Sequence, residues 1–149
     1  MKRFKKSKKK GPVRAKKASA DGIQFRSGLE KHTYLALKEA DLYEMYEVEV
    51  FQLIDGFTLP NLSIEKQANG KGEFVNRGGK KILGIKYTPD FTGFDYIIEC
   101  KGRANESFPL RWKLFKRWLV NNGETRTLYK PQNQKDVAIM IKLILDGRK

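Results

Sequence analysis

Three charged residues in one short segment have the types and the spacing of a hydrolytic metal site. Asp90 follows a proline, and Glu99 and Lys101 lie at the end of the next apolar run. Because side chains alternate faces along a strand, Glu99 and Lys101 should point the same way. A turn near Gly93 would fold the segment that ends at Asp90 back beside them. The sequence therefore predicts two carboxylates and one ammonium group at one end of a sheet.

This charged group has two interpretations. Two close carboxylates repel each other unless one is protonated or a cation lies between them. Carboxylate oxygens suit Mg2+ or Mn2+, and such a cation can activate water and stabilise a phosphate oxygen. Lys101 would then orient the water or offset negative charge on the phosphate. The alternative is an ion pair on the surface of a strand, because the Glu-x-Lys pattern is common by chance.

The flanking segments favour the catalytic interpretation. Residues 25–30 (FRSGLE), 87–91 (YTPDF) and 99–102 (ECKG) occur in this order along the chain. Together they resemble the PD-(D/E)XK nuclease superfamily, and within it they look like the phage endonuclease I family of Holliday-junction resolvases. The segment 110–119 is similar to that of small uncharacterised phage nucleases of the same superfamily. The resemblance extends over residues 23–120.

The resemblance implies a Mg2+-dependent DNA endonuclease, with Mn2+ able to replace Mg2+, that cuts branched or junction DNA. Asp90, Glu99 and Glu30 would hold the metal ion, and Lys101 would position the water. The implied setting is phage recombination or replication in the host cytoplasm. Because junction resolution needs two cuts, we also expect a homodimer. Two alternatives stay open: a nicking nuclease without junction preference, and a nucleic-acid-binding module with an inactive site.

The charge of the chain indicates a polyanionic partner. Its 149 residues include 31 Lys and Arg against 17 Asp and Glu, a formal net charge of +14. Ten of these cations lie in residues 2–17, so the remainder holds 21 against 17. Like charges repel and the segment has no apolar face, so we expect residues 1–21 to form a disordered basic arm until it meets DNA. A solubilising or localising arm is the alternative.

Several classes of protein are excluded by residues that the chain lacks. One cysteine, Cys100, cannot form an internal disulfide, and together with one histidine, His32, it cannot make a structural zinc site. A single histidine also argues against a His-dependent nuclease of the HNH type. The sequence has no apolar run long enough to span a membrane, and no apolar stretch behind the basic N-terminus as in a secretion signal. We expect a cytoplasmic protein with one nuclease domain over residues 22–149.

The first helix should begin after Ser27 and run to about residue 42. Ser27 and Glu30 form a capping box, in which the two side chains bond free backbone amides of the first turn. This cap competes with the metal role that the resemblance gives to Glu30, and we favour the metal role. The residues of the predicted core stripe are Leu29, Thr33, Ala36, Leu37 and Ala40.

The strands that follow should build the site. Residues 43–54 alternate well enough for one long strand, and none of its glutamates is assigned a role. Residues 55–81 form a basic, glycine-rich insert that either lies along a phosphate backbone or is a flexible hairpin tip. Residues 82–91 and 95–101 are the two site strands. Pro89 has no amide to donate, so it should loosen the pairing beside Asp90.

A second helix should begin at residues 107–109, which supply a serine cap and a proline in the first turn, and end at residues 122–123. A strand over residues 125–130 and an apolar helix over residues 136–145 follow, and this last helix either closes the core or forms a dimer contact. The apolar face predicted for the second helix consists of Leu110, Leu114, Phe115, Trp118 and Leu119.

The predicted order of elements is helix, three strands, helix, strand and helix. It predicts an α/β fold with a mixed central sheet flanked by helices. The order agrees with the restriction-endonuclease-like core (α-β-β-β-α-β-α) of the resembled superfamily. Basic side chains near the site and opposite the apolar face of the second helix either contact phosphates or form an ordinary solvated surface. The predicted nucleic-acid contacts are Lys80, Lys81, Arg103, Lys113, Lys116 and Arg117.

Overall fold

The computed structural model describes residues 15–42, 45–103, 105 and 107–149. This part of the chain forms three helices, α1 (Gly28–Glu39), α2 (Phe108–Asn121) and α3 (Gln134–Asp146). The N-terminus of α1 is capped by Ser27, whose side chain accepts a hydrogen bond from the Glu30 N–H. Asn133 caps α3 in the same way.

The strands are short, and each lies in a sheet of two or four strands. In chain order they are β1 (Ala18–Ala20), β2 (Ile23–Phe25), β3 (Met45–Tyr46), β4 (Phe51–Ile54), β5 (Phe57–Thr58), β6 (Ile64–Glu65), β7 (Val75–Asn76), β8 (Lys81–Ile82), β9 (Ile85–Tyr87), β10 (Phe91–Thr92), β11 (Tyr96–Ile98) and β12 (Thr127–Tyr129).

The central sheet has four strands in the order β12-β11-β10-β3. Strand β10 is antiparallel to both of its neighbours, and β11 is parallel to β12, so the sheet is mixed as predicted. The turn between β10 and β11 is closed by the Gly93 N–H, which donates to the Tyr96 carbonyl at 3.0 Å. Phe91 consequently lies opposite Ile98, and this register brings Asp90 close to Glu99.

Two hydrophobic clusters lie on the two sides of this sheet. Ile97 and Ile98 are both fully buried, and because neighbouring side chains of a strand point to opposite faces, they belong to different clusters. The cluster of Ile98 joins α1 and α3, which contact each other, whereas the cluster of Ile97 joins α2 to β4 and β9. The fold is therefore a mixed α/β fold with helices on both faces of the sheet.

The insert predicted at residues 55–81 is a paired structure and not an irregular loop. Strands β4, β5 and β6 pair in an antiparallel manner with β9, β8 and β7, so residues 55–84 form one nested hairpin, here called the β-arm. Gly84 lies at its base, where an added Cβ would be 2.6 Å from the Ile54 carbonyl oxygen. Only glycine allows this close approach.

The single strand predicted over residues 43–54 is wrong, because β3 and β4 belong to different sheets. Residues 43 and 44 lie outside the described residues. Glu47, between the two strands, has a φ of 51°, in the left-handed region that non-glycine residues rarely adopt. Its N–H donates to the Asp90 carbonyl at 2.9 Å, which holds this break against the site segment.

Two further predictions need correction. The disordered arm predicted over residues 1–21 extends too far, because β1 and β2 form a hairpin whose turn contains Asp21 at a φ of 48° and Gly22. Residues 1–14 lie outside the described residues. In α2 the buried side chains are Phe108, Trp112, Phe115 and Leu119, whereas Leu110 of the predicted apolar face is 63% exposed.

The helix itself begins where it was predicted, but Ser107 makes no capping bond. The Asn105 side chain accepts from the Phe108 N–H instead, at 2.9 Å. None of the helices in the described part of the chain is both long and apolar enough to cross a membrane.

Candidate active site

Asp90 lies in the gap between two sheets. Strand β9 ends at Tyr87 and β10 begins at Phe91, and Pro89 between them has no N–H to continue the pairing. The single site strand predicted over residues 82–91 is therefore wrong, because β9 and β10 lie in different sheets, and the loosening predicted beside Asp90 is a complete break between them. Tyr87 and Phe91 are both buried, in different hydrophobic clusters, so the backbone on either side of Asp90 is anchored.

The Asp90 carboxylate is buried, with 6% of the residue exposed. Its Oδ2 accepts a hydrogen bond of 2.6 Å from the Cys100 N–H across the hairpin. Burial, followed by the negative charges of Glu99 and Glu30, raises the pKa of Asp90 from 3.8 to about 8, and the Cys100 N–H opposes this rise. Asp90 therefore holds a proton near neutral pH unless a cation replaces it.

Glu99 lies beside Asp90 as predicted from the hairpin, and it is buried to a similar degree, with 7% exposed. Its Oε2 accepts a hydrogen bond of 2.7 Å from the Tyr87 hydroxyl. Its Oε1 lies 3.9 Å from Lys101 Nζ. Burial raises the pKa of Glu99, and the hydrogen bond from Tyr87 and the charge of Lys101 reduce this rise.

Lys101 is on the same side as Glu99, in agreement with strand alternation. Its Nζ also lies 4.8 Å from the centre of the Phe108 ring, at the start of α2. Cys100, between Glu99 and Lys101 in the chain, is buried, and its Sγ donates to Thr33 Oγ1 at 3.3 Å. Burial and the charge of Asp90 raise the pKa of the Cys100 thiol, so this side chain suits a buried thiol and not a nucleophile.

Glu30 is also buried and lines the same cleft, and its carboxylate accepts three hydrogen bonds. The donors are the Ser27 hydroxyl to Oε1 at 2.8 Å, and the Arg26 N–H and the Tyr46 hydroxyl to Oε2 at 2.9 and 2.6 Å. The capping interaction is therefore present. Burial and the hydrogen bond to Glu30 raise the pKa of Tyr46 to about 12, so this phenol remains a donor.

The acids open into a cleft of about 700 Å³. Three lining residues that the sequence did not indicate are Arg26, Glu47 and Arg111. Arg26 forms an ion pair with Glu47, and Arg111 donates from its guanidinium to the Lys86 carbonyl at 2.9 Å. Arg26 lies four residues before Glu30, whereas no local spacing connects Glu47, on the strand break, or Arg111, on α2, to the site.

The predicted nucleic-acid contacts are all exposed, but they lie on three different elements. Lys80 and Lys81 are on the β-arm, Arg103 follows Lys101, and the remaining three are on the outer face of α2. Among the described residues, none of these six cations forms an ion pair with a carboxylate. The three on α2 are Lys113, Lys116 and Arg117.

The donor set fits a magnesium ion held by two carboxylates. Among the described residues, no three His, Cys, Asp or Glu side chains lie close enough together to hold a metal ion by themselves. Mg2+ does not need such a cage, because it keeps several waters and is commonly bound by one or two carboxylates together with substrate phosphates. Asp90 and Glu99 are the pair that suits it, whereas the oxygens of Glu30 are occupied by three donors.

Residues 8–130 match the family described as "Protein of unknown function (DUF1064)". No curated protein matches the chain, and no solved structure matches it. Because the match spans well over half of the 149 residues, the chain belongs to the DUF1064 family. The matched segment includes the four predicted catalytic residues, Glu30, Asp90, Glu99 and Lys101, all of which line the cleft.

Proposed function

We propose that this member of the DUF1064 family is a Mg2+-dependent endonuclease that hydrolyses phosphodiester bonds in DNA. The observation that carries the proposal is the burial of Glu30, Asp90 and Glu99 together on the wall of an open cleft. Buried carboxylates are costly unless they are paired with cations or saturated with hydrogen bonds. Among the described residues, Lys101 is the one cation that forms an ion pair with any of these acids.

The excess negative charge supports a divalent cation held by Asp90 and Glu99. A cation bound there would stabilise a phosphate oxygen and lower the pKa of water. Asp90 is fixed by the Cys100 N–H and Glu99 by the Tyr87 hydroxyl, so neither carboxylate has to be ordered when the substrate binds. The metal role of Glu30 stays a prediction, and its negative charge already acts on Asp90.

Lys101 is suited to act on the reacting groups. Its ammonium group can only donate hydrogen bonds, so it can orient a water molecule by its lone pair or bind a phosphate oxygen. The Phe108 ring beneath it and the Glu99 carboxylate beside it restrict where Nζ can lie. Proximity of this kind lowers the entropic cost of bringing water and phosphate together.

The finer fold assignment is also a proposal. The order α1, β3, β10, β11, α2, β12 and α3 agrees with a restriction-endonuclease-like core, with β4 to β9 as an inserted arm. The antiparallel hairpin of β10 and β11 and the parallel addition of β12 support it. This topology places both predicted ligands at one end of the central sheet.

The distribution of cations supports DNA as the substrate. The cleft is bordered on one side by the end of β9, the strand that follows the β-arm, and on the other by α2, and Arg111 of α2 bonds the Lys86 carbonyl of β9. Five of the predicted nucleic-acid contacts are exposed cations of the β-arm and of α2, where a phosphate backbone would pass: Lys80, Lys81, Lys113, Lys116 and Arg117. We propose branched or junction DNA as the preferred form, cut by a homodimer in phage recombination or replication.

The decisive experiment compares cleavage of a four-way junction, a nicked duplex and a single strand by the full chain, with and without Mg2+. Asp90→Asn and Glu99→Gln remove a charge but preserve size, so each should abolish cleavage while DNA binding remains. Lys101→Ala should lose most of the activity. The matched control is Glu73→Gln, which removes an exposed carboxylate of the β-arm and should cut normally.

Each outcome of this comparison assigns a function. Cleavage at the wild-type rate by Asp90→Asn or Glu99→Gln would show that the site is elsewhere. Equal cutting of all three substrates would indicate a nicking nuclease without junction preference. Binding of DNA by the wild-type chain with no cleavage in Mg2+ or Mn2+ would indicate a binding module.

A further inference from the structure

The two acids that suit a metal ion are held by different kinds of donor. Asp90 is held by a backbone N–H, which the hairpin itself supplies. Glu99 is held by a side chain, the hydroxyl of Tyr87, 2.7 Å from Oε2. The orientation of Glu99 therefore depends on a residue that can be changed without changing the backbone.

The Tyr87 ring is fixed from several sides. The residue is 4% exposed, and its ring stacks on Phe115 of α2 at 4.4 Å with an interplanar angle of 25°. Trp112 lies 6.1 Å away, and Phe51 of β4 is its partner across the strand pair. A phenol held in this way can direct its hydroxyl at only one place.

The two oxygens of Glu99 consequently have different contacts. Oε2 is occupied by the phenol, whereas Oε1 lies 3.9 Å from Lys101 Nζ, beyond normal hydrogen-bond distance. A carboxylate without the phenol could rotate and present either oxygen, or turn toward Lys101 and form a closer ion pair. The phenol prevents both movements.

We propose that Tyr87 is a positioning residue for the reaction, which holds one oxygen of Glu99 so that the other is available to the metal ion beside Lys101. This inference rests on the proposed nuclease function. It adds a residue that acts through Glu99. Donors of this kind typically change metal affinity or activity by about 10- to 100-fold when they are removed.

The test is Tyr87→Phe in the full chain, which keeps the stacked ring and removes only the hydroxyl. Binding of Mn2+ to the metal-free protein, measured by isothermal titration calorimetry without DNA, should weaken about tenfold or more. The Mn2+ concentration that gives half-maximal cleavage should rise by the same factor, and saturating Mn2+ should restore most of kcat. A general loss of structure would instead lower activity at every Mn2+ concentration.

A matched control is Tyr34→Phe. Tyr34 is also buried and its hydroxyl also donates to a carboxylate, that of Asp21 at 3.1 Å, but this pair lies outside the cleft. Tyr34→Phe should leave Mn2+ binding unchanged within about twofold, and circular dichroism should show both variants folded.

Unchanged Mn2+ affinity and unchanged Mn2+ dependence in Tyr87→Phe would overturn the proposal. An equal loss in Tyr34→Phe would also overturn it, because the effect would then not depend on Glu99. Absence of Mn2+ binding and of cleavage in the wild-type chain is a different result, which rejects the proposed function itself.

Discussion

If Asp90 is buried to bind a cation, its charge should destabilise the protein when no cation is present. Burial and the charges of Glu99 and Glu30 raise its pKa in the folded state to about 8, from 3.8. A group whose folded pKa is raised contributes stability that is complete below the unfolded pKa and is lost as the pH rises through the folded pKa. The contribution of Asp90 to the free energy of unfolding should therefore decline between about pH 4 and pH 8.

The size of this decline follows from linkage. Between the two pKa values the folded state holds one proton more than the unfolded state at Asp90, so the free energy of unfolding falls by about 1.4 kcal/mol per pH unit. From pH 5 to pH 7 this amounts to about 3 kcal/mol, a large share of the 5–15 kcal/mol that is typical of a domain. Asp90→Asn cannot lose a proton and should lack this decline.

The assay is urea denaturation of the wild-type chain and of Asp90→Asn, in EDTA, at pH 5, 6 and 7. The stability of the variant relative to the wild-type chain should increase by about 3 kcal/mol from the lowest pH to the highest. Groups that do not interact with Asp90 titrate alike in both proteins, so the difference reports on Asp90 together with Glu99, whose charge acts on it. Excess Mg2+ should remove most of the difference at pH 7 by stabilising only the wild-type chain.

Parallel pH dependences of the two proteins in EDTA would refute this reasoning. Such a result would mean that Asp90 is ionised and compensated within the fold, by Arg26 or by solvent, and that no cation is needed to offset it. A variant less stable than wild type at pH 7 would lead to the same conclusion.

Two further predictions concern the cap and the basic arm. Glu30→Gln can still accept at the cap, so its free energy of unfolding, measured by denaturation, should change by no more than about 1 kcal/mol. Cleavage, measured by single-turnover kinetics, should fall sharply if Glu30 serves the metal ion, and lost stability with a normal rate would limit Glu30 to capping. Deletion of residues 1–17, which ends just before β1, should weaken DNA binding and flatten its salt dependence. The logarithmic slope should change by roughly 0.9 for each phosphate that the arm neutralises, and the effect should be equal for junction and linear DNA. A selective loss of junction binding would instead assign structure recognition to the arm.

The position of the acids could be predicted from the sequence because it depends on local rules. Strand alternation and a glycine turn are enough to bring Asp90 beside Glu99, and the structure has Phe91 opposite Ile98 as that argument requires. The cap at Ser27 is equally local, since donor and acceptor are three residues apart.

What could not be predicted depends on contacts between distant segments. Alternation over residues 43–54 continues across a break that only the left-handed backbone of Glu47 reveals. The predicted apolar face of α2 included Phe115, which is buried, but it included the exposed Leu110 and missed Trp112, which packs beside Tyr87. The role of the Tyr87 hydroxyl could not be predicted either, because it depends on a contact with Glu99, twelve residues away. Tyrosine is common in strands whatever its hydroxyl contacts, so its presence in β9 gives no signal.

These distant contacts explain how the fold tolerates a group of buried acids. Asp90 has Tyr87 on one side, in the cluster beneath α2, and Phe91 on the other, in the cluster beneath α1 and α3. The site therefore lies where the two hydrophobic clusters meet. Asp90 belongs to neither sheet, and its carbonyl accepts a hydrogen bond from the Glu47 N–H. Burying these carboxylates costs free energy, which the packing of both clusters offsets. A protein that only binds DNA by charge would gain nothing from burying them. Chemistry at a cation gains from it, because fixed and desolvated ligands act more strongly on charge that develops during the reaction.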